Sequence, residues 1–236
     1  PEEIDLWVLG QPHGVDKQKA LTFYFKDILK VPNFENVSKE EIFKTLPHSL
    51  AHASLACYGS GWNDCAFLVI DGGGDDADPT NMLCGTFENN QFRVLEKQNK
   101  DRGFAYFHHI ITELVGFGMF DNGKTMGLGS YGKVNDCLYK CFSSRVNRNP
   151  NDYTWHFNCS RSGQSDYRID RLNPDSYKRW QVLNTPAQHL DLKIETAKYS
   201  AIDIAATGQR FLEDEVVQLV EKILARTGKN KIACAG

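Results

Sequence analysis

Cys65-Ala66-Phe67-Leu68-Val69-Ile70-Asp71-Gly72-Gly73-Gly74-Asp75 is an apolar run that ends on an acid and opens into glycines. Six consecutive apolar residues before a turn signal read as a strand buried on both faces. Asp71 then sits on a rigid element where the backbone opens. Three glycines without side chains let the amides of the turn approach a phosphate closely. Asp-Gly-Gly-Gly-Asp also suits an ordinary hairpin turn, because glycine and aspartate tolerate positive φ.

Downstream, Asn81 to Glu88 and Gln91 to Glu96 read as two further strands joined by Asn89-Asn90, a hairpin signal. A helix over 103–117 follows, with Phe104, Phe107, Ile111, Leu114 and Val115 at helical spacing. Asp121 to Lys133 reads as a second glycine-rich loop, and residues from about 147 to 185, rich in Asn, Asp, Ser, Arg and Pro, as an irregular insertion. A long helix over about 200–227 leads to a terminal strand, Lys231-Ile232-Ala233-Cys234-Ala235-Gly236. Lys97 to Arg102 is read as a solvated loop.

Upstream lies His48-Ser49-Leu50-Ala51-His52. The two histidines share one face of a helix that starts after Pro47, the spacing two ligands of one ion need. A hydrogen-bonded helix face has the same spacing. Ile4 to Leu9 reads as a strand, Asp16 to Leu29 as a helix, and Ser38 to Pro47 as a second helix with Ser38 at its N-cap and Glu41 at the capping-box position. Strand, strand, strand, helix, insertion, helix, strand is the order of a ribonuclease-H-like α/β unit with a mixed sheet. Residues 1–62 would be the tail of a preceding lobe, and 63–236 most of a second one.

The 236 residues carry a net charge of −3 and 41% hydrophobic residues, which suits a folded globule without a nucleic-acid footprint. No apolar stretch approaches the roughly 20 residues of a membrane span, and no signal pattern opens the chain, so the cytoplasm is expected. Seven cysteines without Cys-x-x-Cys spacing argue against a disulfide framework or a zinc ribbon. The end inside an apparent core strand suggests a piece of a longer polypeptide.

Read together, His-x-x-x-His, Asp-Gly-Gly-Gly-Asp, Gly123 to Gly132 (Gly-Lys-Thr-Met-Gly-Leu-Gly-Ser-Tyr-Gly), Asp203 to Gln209 (Asp-Ile-Ala-Ala-Thr-Gly-Gln) and Ile232 to Gly236 resemble the amino-terminal domain of the nodulation-type and antibiotic O-carbamoyltransferases. The resemblance runs over nearly the whole chain. It implies the fold of actin, Hsp70 and the sugar kinases, with two ribonuclease-H-like lobes. It also implies a chemistry: carbamoyl phosphate and ATP give carbamoyl adenylate, made by a carboxy-terminal domain of the same polypeptide, and the carbamoyl group passes to a hydroxyl of a small-molecule acceptor.

Carried over by motif, His48, His52 and Asp71 resemble three ligands of a metal, typically iron. Two imidazoles and a carboxylate also suit zinc or manganese. Gly72, Gly73, Gly74 and Asp75 resemble the adenylate phosphate turn, with Asp75 where the family usually has glutamate. Lys124 and Gly127 are candidate nucleotide contacts, but Met126 to Tyr131 reads equally as a packing turn between lobes. Gly129 stands where the family usually has alanine, which loosens a loop. Gly208, inside the long helix, is expected to mark a close approach of another backbone. His108, His109 and His189 are read as structural, as are Gln209 and Arg210.

A segment before Pro1 and another after Gly236 are expected to complete the site, so weak metal and nucleotide affinity is expected of these residues alone. Two other readings stay open: a carbamoyl-transfer relative of hydrogenase maturation or transfer-RNA threonylcarbamoylation, and a non-catalytic nucleotide-binding module of the same fold.

Overall fold

The computed structural model describes residues 7–10, 23–28, 30, 43–72, 79–99, 103–118, 121–159 and 190–236. Its centre is a four-stranded mixed sheet. β3 (Asp64–Ile70), β4 (Thr80–Glu88) and β5 (Gln91–Asn99) form an antiparallel meander, and β8 (Ile232–Ala235) returns parallel to β3. The strand order is β5-β4-β3-β8. β1 (Trp7–Gly10) and β2 (Phe43–Leu46) pair in parallel as a separate ribbon.

Cys65 to Val69 are all buried, as expected of a strand covered on both faces. Alternate residues feed two cores. Cys65, Phe67 and Val69 pack with Ala53 and Cys57 of α1 (His48–Gly59). On the other face, Ala66 and Leu68 join Met82 and Cys84 beneath α2 (Phe104–Leu114), α4 (Asp136–Ser143) and α6 (Ala201–Thr227). Phe107 and Phe211 meet edge to face there, with ring centroids 5.2 Å apart.

Local chemistry explains the boundaries. Asn89 and Asn90 take φ of 48° and 62°, the left-handed pair that a two-residue hairpin needs to match strand twist. The Ser200 side chain accepts from the Asp203 amide at the start of α6, and Gly228 closes the helix in the left-handed conformation at φ 68°.

Several expectations are corrected. Residues 43–46 form a strand paired with β1, so the helix expected up to Pro47 does not reach them. Helical winding in the 16–29 region is described only over Phe23–Ile28, where it is π-type. β5 runs on to Asn99, because the Gln98 carboxamide is buried and exchanges bonds of 2.7 and 3.0 Å with the Trp155 backbone. The insertion expected to be irregular over 147–185 begins with order. β6 (Val146–Arg148) and β7 (Trp155–Phe157) form a hairpin, with Trp155 and Phe157 buried against α2. Its polar composition describes the turn, and two aromatic residues anchor the rest. Residues 160–185 of that segment, and His189 beyond it, lie outside the described residues.

The second glycine-rich loop is a helix, α3 (Asn122–Gly129), packed on α6. A Cβ on Gly129 would stand 3.3 Å from the Ala205 carbonyl, and one on Gly132 only 2.0 Å from the Ile202 carbonyl. The glycines serve contact between two backbones, and Gly129 loosens nothing. Gly208 does mark a close approach, but of a side chain and not of a backbone: a Cβ there would stand 2.8 Å from Ile111 Cγ2.

Helix α5 (Leu190–Thr196) precedes α6, and its Asp191 and Glu195 accept from the Arg145 guanidinium at 2.6 and 2.8 Å. All seven cysteines are free thiols. Among the described residues, no helix is long and apolar enough to cross a membrane.

Candidate metal centre

Pro47 is extended (φ −52°, ψ 139°), and its carbonyl accepts from the Ala51 amide, so α1 begins abruptly with His48 in its first turn. Ser49, Ala53 and Cys57 form the buried face of α1. Small side chains there bring the helix close to β3. His48 and His52, one turn apart, project toward the carboxyl end of β3, where Asp71 leaves the sheet.

The Asp71 carboxylate is divided between two tasks. Oδ1 accepts from the Gly72 amide at 2.7 Å, and the Asp71 amide donates to the Asn81 carbonyl at 2.9 Å. Oδ2 is left for the histidines: it lies 2.8 Å from His48 Nε2 and 3.7 Å from His52 Nε2, and the two Nε2 atoms are 3.1 Å apart. The three side chains are about one quarter to one third exposed, so the cluster is open to solvent on one side.

No assignment of ordinary two-centre hydrogen bonds satisfies this triangle. His48 Nε2 carries at most one proton. If it donates that proton to Asp71, no lone pair is left for His52; if it does not, its lone pair faces a carboxylate oxygen. One cation meets all three lone pairs at once. Ligand atoms held at about 2.0–2.2 Å from one ion stand roughly 3.0–3.5 Å from one another, close to the edges seen here. The residues therefore fit a divalent ion, and among the described residues they are the one group of histidine, cysteine or acidic side chains with converging donors.

The other expected site residues divide. Gly72 is placed beside the cluster, and its amide fixes Asp71. Gly73, Gly74 and Asp75 lie outside the described residues. Lys124 is not drawn to the cluster: it is exposed on α3 with Nζ 2.8 Å from Asp121 Oδ1, and this partner holds the Asp121 carboxyl below its usual range. Gly127 has open space beside its Cα. His108 is buried on α2, which pushes its imidazole below the ordinary range, and His109 pairs with Glu113 at 3.2 Å. Gln209 and Arg210 engage Glu213 and Asp214 one turn along α6.

One residue near the cluster was not singled out from the sequence. Asn81 is the extra residue where the β4–β5 register shifts between Thr80 and Met82, and it is 3% exposed. Its only sequence signal is a polar residue opening an otherwise apolar strand.

A family model described as the carbamoyltransferase N-terminus matches residues 6–236. The chain belongs to the carbamoyltransferase family. Within that family it is 35% identical over 85 residues to the nodulation protein NolNO of Sinorhizobium fredii, covering 36% of this chain and 12% of the relative. It is also 24% identical over 203 residues to an uncharacterized protein of Methanocaldococcus jannaschii, covering 80% of this chain and 30% of that protein. The carbamoyltransferase chain described here thus spans less than a third of either curated relative.

Proposed function

We propose that this chain is the transfer domain of an ATP-dependent O-carbamoyltransferase, in which carbamoyl phosphate and ATP yield carbamoyl adenylate and the carbamoyl group passes to the hydroxyl of a small-molecule acceptor. The observation that carries the reading is the closed donor triangle of His48, His52 and Asp71 in a chain of this family. A carboxy-terminal domain of the same polypeptide would make the adenylate, and the cytoplasm would be the place of work. The meander followed by a parallel strand, in the order β5-β4-β3-β8, supports a ribonuclease-H-like unit of the actin and sugar-kinase type over 63–236. Residues 1–62 would then close a preceding lobe.

His48, His52 and Asp71 would hold the ion, iron by family and zinc or manganese by ligand chemistry. When bound, it would supply positive charge to a phosphoryl or carbonyl oxygen as the acceptor attacks. The remaining work falls to the chain itself. The Gly72 amide holds Asp71 Oδ1, which keeps Oδ2 turned to the imidazoles. Helix α1 fixes both histidines from one rigid element, and the three side chains leave one flank open for substrate. The glycine turn of Gly72, Gly73, Gly74 and Asp75 would approach the adenylate phosphate through its amides. Lys124 and Gly127 would make a second nucleotide contact if Lys124 leaves Asp121.

The deciding experiment is carbamoyl-phosphate-dependent release of pyrophosphate from ATP by the full-length polypeptide, with and without added iron. Release that needs carbamoyl phosphate supports adenylate formation. Cleavage of ATP to ADP that ignores carbamoyl phosphate refutes it.

A further inference from the structure

Asn81 is the polar side chain at this end of the sheet that the transfer reading leaves without a task. Among the described residues, neither Nδ2 nor Oδ1 has a hydrogen-bond partner, although both atoms are buried. A buried carboxamide with its donor and acceptor both unmet is costly, and folds keep such groups where something else satisfies them. Its position is specified by the chain. The register shift at Asn81 is a β-bulge, a device that re-aims one side chain out of the regular alternation. Here it turns the carboxamide to the start of α2. Gly103, the N-cap residue, leaves room for it: a Cβ there would stand 2.5 Å from Asn81 Nδ2.

The start of α2 is unmet as well. Among the described residues no side chain caps this 11-residue helix, and its intrahelical bonding begins with the Phe107 amide donating to the Gly103 carbonyl. The natural cap would be Asn81 Oδ1, which makes no such bond. Two requirements therefore stand side by side: a helix end that favours negative charge, and a carboxamide that needs one donor and one acceptor. The Asn81 backbone also ties this place to the metal cluster, because its carbonyl accepts from the Asp71 amide at 2.9 Å.

We propose that Asn81 and the amino-terminal end of α2 form a subsite for a carbamoyl–phosphoryl unit, in which Asn81 reads the carbamoyl amide and the helix end faces the phosphoryl oxygens. The proposal rests on the transfer reading above and adds the residue that sets its donor specificity. A carbamoyl group presents a carbonyl oxygen and an N–H in reversed order to a carboxamide, so Nδ2 donates to the first and Oδ1 accepts from the second. An acetyl group has the oxygen and lacks the N–H, which leaves Oδ1 buried and unpaired. A cation would gain nothing from the helix end.

The test uses the hydrolysis-resistant probe phosphonoacetamide, its methyl-ketone counterpart acetonylphosphonate, and inorganic phosphate, titrated into the full-length polypeptide with selectively 15N-labelled asparagine while the Asn81 side-chain amide is followed by NMR. The expected result is that phosphonoacetamide shifts that amide and binds about tenfold or more tightly than either other probe. In Asn81→Leu the preference should fall to about twofold or less. Equal affinities in the unmodified chain, a preference kept by Asn81→Leu, or an Asn81 amide unmoved beside an ordered water alone each overturn the subsite. If Asn81→Leu does not fold, the shift of the native amide decides. Carbamoyl-phosphate-dependent pyrophosphate release together with a failed titration removes this subsite alone, whereas absent release removes the transfer reading.

Discussion

The indole N–H of Trp155 donates to Glu215 Oε2 at 2.8 Å, which ties the β6–β7 hairpin to the middle of α6. Glu215 is 3% exposed, and the same carboxylate accepts from Arg148 Nε at 2.7 Å while a second guanidinium nitrogen grips Oε1. The carboxylate in turn holds the Arg148 guanidinium more firmly protonated than usual. Arg148→Met leaves the buried Glu215 charge with only the indole, but Arg148 itself is 39% exposed and its attraction is partly screened, so a cost of about 1–3 kcal/mol in urea unfolding is expected. Arg148→Met combined with Glu215→Gln should recover part of that loss. A single-variant cost below about 1 kcal/mol would show that the pair is exposed in solution.

His52→Ala removes one vertex of the donor triangle from a partly exposed position. Stability should stay within about 0.5 kcal/mol of the parent. Affinity for Fe2+ or Zn2+ by calorimetric titration should drop by more than about a hundredfold, since losing an outer partner of a ligand alone costs about 10–100-fold. Unchanged affinity would leave the His48–Asp71 contact as a plain hydrogen bond.

His108 gives the fold a predictable weakness to acid. Burial holds its folded-state pKa below the ordinary value of 6.5, with the neighbouring His109 adding in the same direction and Gln209 opposing. The unfolded chain then binds the proton more readily, so the stabilising effect of a neutral His108 is complete above pH 6.5 and is lost as pH falls below it. The melting temperature of His108→Gln should decline less than that of the parent between about pH 6.5 and pH 5. Parallel declines would refute the assignment.

Gly132 and Gly127 should respond in opposite ways to alanine. At Gly132 a Cβ collides with the Ile202 carbonyl, and a loss of about 1–3 kcal/mol is expected. At Gly127 nothing lies within 4 Å, and the helix should gain about 0.5–1 kcal/mol. Chemical denaturation of both variants measures this. If Gly127→Ala is stabilised yet loses ATP binding, close approach of a nucleotide is the reason for that glycine.

The sequence was legible where one local rule decided the outcome. The run from Cys65 to Ile70, the Asn89-Asn90 turn and the long helix over about 200–227 each reappear at the expected place. His48, His52 and Asp71 converge because helical spacing and the end of a strand are themselves local geometry. What escaped depends on distant partners. Residues 122–129 carry three glycines and read as a loop, but packing against Ala205 and the neighbouring turns of α6 outweighs their weak helix propensity. Residues 43–46 are a strand through pairing with β1. Trp155 and Phe157 stood hidden in a polar stretch because two anchoring rings hardly alter its composition. The bulge at Asn81 is invisible without the register of β5.

The parallel seam between β3 and β8, with Ala66 opposite Ile232, joins two segments that leave the ribosome far apart in time. Long-range parallel pairing of this kind closes late and slowly. Helix α1, β3 and the β4–β5 hairpin follow one another along the chain, so all three donor side chains are present in a nascent chain well before β8 has been translated. If the cluster binds an ion as proposed, loading would have a window during synthesis, when β3 still has an open edge. An ion captured then would hold α1 on the face of β3 before β8 pairs with the strand's open edge.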